Sequence, residues 1–287
     1  MKRLIFSALL FLPVFSYSQK KTEDQVQVLD SNSTDKDIFK SENRVSFSTH
    51  VIKGPSLHQT AFCEGEKLIF TIKYEFVGAG QATMEVNNGD LLNGRPTYQF
   101  VSTAKSNGFI DKFFRVRDFN ASRVDQQTMY TLSFHQNLQE GHYKVIRDTH
   151  YDYANKTYYY KRQYKGKKSE KSGPVEKGVH DILSAFFVAR TLPLKLGEEY
   201  KISVFSDGDM YDLNIQVQPK LQNIKVPAGK FECVRIDPFI IGDGIFKAKE
   251  GRMSIWLTND ERKMPVLIRS RVLVGAFDAE LSEYTRP

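Results

Sequence analysis

From Glu66 onward the chain alternates between apolar and polar residues. Leu68, Phe70, Ile72, Tyr74 and Phe76 share one parity, with Lys67, Thr71, Lys73 and Glu75 on the other. A period of two sends one set of side chains to a core and the other to water, so this stretch predicts a strand. Gly78-Ala79-Gly80 supplies turn residues, and Ala82, Met84 and Val86 resume the beat, which together predict a hairpin. Asn93-Gly94 marks the next turn and residues 98–103 a third strand. Comparable segments recur at 114–124, 130–134, 142–151, 157–164, 200–206, 211–217, 230–236, 253–257, 266–274 and 277–284. About a dozen short strands with turns between them predict a meandering antiparallel sheet that must curl or close to protect its edges.

One segment breaks the period. Asp181 can cap the run Ile182, Leu183, Ser184, Ala185, Phe186, Phe187, Val188, Ala189, Arg190, which is apolar around most of a helical circumference. Such a helix must be buried, and the concave side of the sheet is the simplest place for it. A short helical turn near 109–113 places Phe109, Phe113 and Phe114 where they could join it. The expected fold is therefore mainly β: a curved antiparallel sheet or incomplete β-barrel with one buried helix at about residues 181–191.

The ends are different in character. Met1, Lys2 and Arg3 precede an apolar run from Leu4 to Phe15 broken by Ser7 and Pro13, followed by Ser16, Tyr17 and Ser18. A basic start, a short apolar core and small residues form the pattern of a signal peptide, here with cleavage expected after Ser18. The run is short of the roughly 20 residues that a helix needs to span about 30 Å of hydrocarbon. Residues 19–59 are polar and patternless and read as a flexible tether, with a late apolar beat at Val45, Phe47 and Val51 that could add an edge strand. Residues 60–287 then form a single domain. The expected location is the periplasm, without a lipid anchor, because the two cysteines, Cys63 and Cys233, lie far from the cleavage site.

Charge matters once it is localised. Loss of Lys2 and Arg3 lowers the formal +7 to +5, and residues 161–171 hold Lys161, Arg162, Lys165, Lys167, Lys168 and Lys171 against Glu170 alone, another +5. The whole excess is local, which argues against a polyanion-binding surface spread over the fold. Interleaved with Tyr158, Tyr159, Tyr160 and Tyr164, the basic residues form a composition suited to anionic lipid headgroups or nucleic acid, and export removes nucleic acid as a partner. The alternative is a solvated hairpin tip. Cys63 and Cys233 could pair or simply fill space, and spacing alone does not decide.

Candidate chemistry is thin. His50, His58, His135, His142, His150 and His180 lack the helical pairing with Glu that holds zinc. Asp207-Gly208-Asp209 and Gly242-Asp243-Gly244 lack the remaining ligands of a calcium loop and read as tight turns. Gly78 and Gly80 lack the third glycine of a dinucleotide site. No catalytic residue, metal or other cofactor is expected.

The chain resembles a family of exported bacterial proteins known as domain of unknown function 3108. The likeness is carried by Ala61-Phe62 through Gly65-Glu66, Gly78 with Gly80-Gln81-Ala82, and Gly108-Phe109 through Phe113-Phe114. It continues through the 181–190 segment, Gly229-Lys230-Phe231 through Cys233, and Trp256-Leu257-Thr258 through Asp260 to Pro265. The resemblance implies the fold and no activity. Its pattern is also similar to periplasmic lipoprotein carriers, an architectural analogy that implies an incomplete barrel cradling acyl chains. The resulting expectation is a monomeric, non-catalytic envelope protein that binds a lipid or another hydrophobic ligand, with Phe109, Phe113, Ile182, Phe186, Phe187 and Arg190 as cavity candidates. Lys161, Arg162, Lys165, Lys167 and Lys168 are the anionic-surface candidates. A scaffold that engages envelope proteins through sheet edges is the alternative.

Overall fold

Alternation becomes structure strand by strand in the computed structural model, which describes residues 49–51, 60–92, 94–175, 178–206, 208–240, 253–272 and 274–287. The signal-peptide reading, most of the tether and Gly242-Asp243-Gly244 lie outside the described residues. The elements run β1 (Thr49–Val51), β2 (Lys67–Tyr74), β3 (Val77–Leu92), β4 (Arg95–Ser106), β5 (Arg117–Asp125), β6 (Thr131–Glu140), β7 (Tyr143–Asp152), β8 (Thr157–Tyr164) and β9 (Lys167–Pro174). Then come α1 (Ile182–Thr191), β10 (Glu199–Ser206), β11 (Asp209–Val217), β12 (Gln222–Val226), β13 (Gly229–Ile240), β14 (Met253–Thr258), β15 (Pro265–Arg271) and β16 (Ala276–Thr285). A single 3-10 turn, Ile110–Lys112, sits between β4 and β5.

All of these strands join one sheet in the order β1-β10-β11-β13-β14-β15-β16-β2-β3-β4-β5-β6-β7-β8-β9, with β12 beside β13. Every pairing is antiparallel except β1 with β10, which confirms an edge strand late in the polar N-terminal segment. The C-terminal β16 pairs with β2, so the last strand closes onto the first long one. Among the described residues the two ends of the order do not pair, and the sheet is a curved half-barrel. Side chains partly bridge the gap: Lys171 of β9 and Tyr158 of β8 both donate to the Gly208 carbonyl at the β10–β11 turn.

Three local expectations are corrected. The β2–β3 turn falls at Glu75 and Phe76, not at Gly78-Ala79-Gly80, which lie inside β3. Glu75 takes the positive φ of 51° that the turn needs, and Phe76 is 96% exposed rather than on the core face. Gly80 serves a close approach instead, since a Cβ there would strike the Lys105 carbonyl of β4. Strands β9 and β12 go beyond the expected set, as β9 is exposed along nearly its whole length and shows no alternation.

Helix α1 lies where its composition requires, packed against β4, β5 and β10 with Leu183 through Arg190 buried. The Asp181 carboxylate caps it by accepting from the Leu183 and Ser184 amides at 2.8 and 3.0 Å. The same carboxylate accepts the Ser122 and Thr131 hydroxyls at 2.5 and 2.8 Å, which pins the helix start to β5 and β6. Phe187 stacks on Phe100 with centroids 4.0 Å apart, and Phe62 meets each of them edge-on at 5.3 Å.

The other end of α1 is held by a buried charge. Arg190 is 0% exposed and meets Glu66, 2% exposed, through Nη1 to Oε1 at 2.6 Å and Nη2 to Oε2 at 3.1 Å. Nη2 is shared with the carbonyls of Ala61 and Arg262 at 2.6 and 3.1 Å, and Nε donates to that of Lys263 at 3.1 Å. One side chain thus ties the helix to the entry of β2 and to the β14–β15 loop. Removing one partner of such a pair strands a buried charge, so Glu66→Leu is expected to lower the unfolding free energy by about 3–5 kcal/mol. Urea denaturation measures this, and an unchanged midpoint would contradict the clamp.

Candidate functional site

Register places a band of polar residues on the helix-side face of β4 through β8. Phe100 marks that face by stacking on α1, and the same parity carries Ser102, opposite Asn120, opposite Gln136, opposite Arg147, opposite Arg162. On β2 and β3 the corresponding positions are Leu68 and Met84. One half of the interior is therefore apolar around the helix, and in the other this polar row runs among apolar residues such as Val124, Leu138 and Val145. Ser102, Asn120, Gln136 and Arg147 are all buried.

Hydrogen bonds run along this band. Asn120 Nδ2 donates to Ser102 Oγ at 3.3 Å, Arg147 Nη1 to Gln136 Oε1 at 2.6 Å and Arg147 Nη2 to Tyr143 Oη at 3.0 Å. Arg162 lies over the Tyr164 ring at 4.8 Å. One row nearer the strand ends, Asp118 accepts the Gln139 amide at 2.9 Å and hydrogen-bonds with Glu140. Among the described residues, buried atoms of this wall that make no hydrogen bond include Asp118 Oδ2, Asn120 Oδ1 and Arg162 Nε. Two acceptors and one donor left dry in a protein wall are costly, and a polar ligand or ordered water would relieve them.

Burial pushes the Asp118 carboxyl up to about 6. Near the helix start, burial also raises the Asp181 carboxyl and the Tyr151 and Tyr153 phenols, and lowers His180 to about 4. His180 Nδ1 and Tyr151 Oη are buried without a hydrogen-bond partner. The hydroxyls in this cluster, Ser122, Thr131 and Ser184, are engaged with Asp181 or each other as helix capping. Among the described residues no group of three or more His, Cys, Asp or Glu side chains is disposed to hold a metal. Cys63 and Cys233 are free thiols, and burial lifts Cys233 to about 12.

The residues singled out in the sequence are dispersed. Phe186, Phe187 and Arg190 are buried and Ile182 is half-buried, and the space beside Phe187 and Arg190 is occupied by Phe62, Phe100 and Glu66. Phe109 and Phe113 do not join the helix: they are 60% and 76% exposed, at the end of the sheet. Beneath them Tyr74, Ala79, Ile110, Phe114 and Phe277 line an apolar cavity of about 50 Å3, far below the roughly 300–1,000 Å3 of ligand pockets. The basic cluster divides. Lys161 pairs with Glu170 at 3.4 Å, Arg162 turns to the helix-side face, and Lys165, Lys167 and Lys168 stand exposed at the β8–β9 turn. The polar wall itself was not anticipated.

An open antiparallel half-barrel around one buried helix, polar along half of its inner face, defines the class. The profile of a family described as protein of unknown function (DUF3108) matches residues 69–282, and the chain belongs to that family. The chain is similar in fold to a β-barrel-like protein of domain of unknown function DUF1849 from Brucella abortus, with TM-score 0.53 and 11% identity over 79% of this chain and 100% of that one. A putative exported protein with a YmcC-like fold from Bacteroides fragilis aligns with TM-score 0.35 and 9% identity over 78% of this chain and 97% of that one. No curated protein matches. Among the described residues no helix is long and apolar enough to cross a membrane.

The raised Asp118 carboxyl makes stability depend on pH. The folded protein keeps its proton up to about 6, whereas the ordinary value is 3.8. Stability from neutral Asp118 is complete below about pH 4 and is lost as pH rises through about 6. Asp118→Asn should therefore gain on the wild type in urea midpoint across that window, and a difference independent of pH would contradict it.

Proposed function

We propose that the protein is an exported, non-catalytic binding protein of the cell envelope whose ligand is amphiphilic, a lipid-like molecule with a polar headgroup. The observation that carries this is the half-polar inner face, with Asp118 Oδ2, Asn120 Oδ1 and Arg162 Nε buried and without hydrogen bonds. Two acceptors and a donor match a headgroup that offers both hydroxyls and anionic oxygens. Hydrocarbon on the partner would meet the tyrosines beside the wall, such as Tyr143 and Tyr164 with rings 5.3 Å apart, since the half around the helix is filled. Export rests on the basic-then-apolar pattern of residues 1–18. A purely apolar guest beside α1 is disfavoured because aromatic rings and the Arg190–Glu66 pair fill that space. A binding rather than catalytic role is supported by hydroxyls committed to Asp181 and by the imidazole of His180 kept neutral in the interior.

The edge-pairing scaffold is less well supported. Among the described residues strand β9 pairs on one side, yet it carries Lys167, Lys168, Lys171 and Pro174, residues that blunt an edge against further strands.

Native mass spectrometry of protein purified from the envelope tests the proposal. The expected spectrum shows an added lipid mass that is lost in the Asn120→Leu/Arg162→Met variant, while the thermal midpoint of that variant is kept. A bare mass for the wild type would count against a carrier.

A further inference from the structure

Strand pairing gathers several turns at one end of the sheet. Tyr74 at the end of β2 pairs with Phe277 at the start of β16, Gly80 early in β3 with Ser106 at the end of β4, and Glu140 with Tyr143 across the β6–β7 turn. Val145 early in β7 pairs with Tyr164 at the end of β8, which brings the β8–β9 turn to the same end. The β15–β16, β2–β3, β4–β5, β6–β7 and β8–β9 connections therefore form one continuous rim.

This rim is greasy and basic at once. Phe76 (96% exposed), Val77 (53%), Phe109 (60%), Phe113 (76%) and Val274 (64%) project from three adjacent connections. An apolar cluster of this kind at the surface marks an interaction site. It is held rigidly. Asn107 Nδ2 donates to the Gly78 carbonyl at 2.7 Å, and Asn107 Oδ1 accepts from the Phe109 and Ile110 amides at 3.1 and 3.0 Å. Tyr74 Oη donates to the Val274 carbonyl at 2.9 Å, and the Ala276 amide to Glu75 Oε1 at 2.6 Å. Ile110 and Phe114 point down into the core-side cavity while the Phe109 and Phe113 rings stay together in solvent, 5.6 Å apart. A loop so fastened could have buried those rings and does not.

Charge chooses the partner. Asp111 on the rim is neutralised by Arg117 at 2.6 Å, which leaves Lys112 and Arg115 exposed beside the phenylalanines. Arg271 stands near Val274, and Lys165, Lys167 and Lys168 extend the positive collar to the β8–β9 turn. Turn tips facing one way suit a flat surface better than a groove-seeking peptide. We propose that this rim docks on an anionic phospholipid bilayer, with Phe76, Phe109 and Phe113 entering the interface and Lys112, Arg115, Lys165, Lys167 and Lys168 meeting the phosphates. The docking is independent of the headgroup reading of the inner wall.

Co-flotation of the purified chain with phosphatidylcholine vesicles containing about 30% phosphatidylglycerol tests it. The wild type is expected to float with these vesicles, and to lose retention on pure phosphatidylcholine or in about 0.5 M salt. Phe109→Ser/Phe113→Ser and Lys112→Glu/Arg115→Glu should each weaken partitioning by about tenfold with circular dichroism unchanged. Asn120→Leu/Arg162→Met should float normally, which separates this surface from the inner wall. Failure of the wild type to float, or flotation unaffected by the rim variants, overturns the proposal. So does rim-dependent self-association in sedimentation without vesicle binding, because the occupant would then be a second copy.

Discussion

Everything in this fold hangs on a helix anchored at both ends by buried ionisable groups. At its start, Asp181 is 0% exposed and meets only amides and hydroxyls; at its end, Arg190 is 0% exposed and meets Glu66 and three backbone carbonyls. A buried guanidinium is tolerable only when its donors are met, and here they are met by segments 124 to 129 residues earlier and 72 to 73 residues later in the chain. That requirement holds the entry of β2, the β14–β15 loop and α1 in one arrangement, which in turn brings β16 beside β2. The meander curls because its apolar half must cover the helix.

The same arrangement leaves the sheet asymmetric. β2 and β3 offer Leu68 and Met84 to the interior, while β5 through β8 offer Asn120, Gln136, Arg147 and Arg162 at the corresponding positions. A wall of that kind does little for the core, since buried polar groups at best break even. The proposed binding role would give it a use. The rim adds a second surface, at the end of the sheet where five connections meet, so one geometry would present the protein to a membrane and another would receive a molecule from it.

Much of this was legible in the residues. The strand-by-strand alternation and the all-round apolarity of 182–189 were enough for the half-barrel and its buried helix, and Asp181 was readable as a cap. Arg190 stood out, but as a cavity residue, because nothing local announces a carboxylate at Glu66. Gly78 and Gly80 imitate a turn, whereas Gly80 is small for the sake of the Lys105 carbonyl on the neighbouring strand. Strand β9, with Lys167, Lys168, Glu170 and Lys171, lacks alternation because neither of its faces is buried. The polar wall escaped notice since Ser102, Asn120 and Gln136 occupy inward parity that a reader assigns to solvent. Phe109 and Phe113 were expected inside for their chemistry alone, and a single 3-10 turn has too little periodicity to say which way they face.

Native-state hydrogen exchange probes the clamp itself, because it reports how each segment opens without requiring a variant. With the clamp in place, amides of α1 and of β2 exchange only through global unfolding and therefore share the highest protection, with β9 far faster. Early, independent exchange of the 183–190 amides would show that the helix is not clamped.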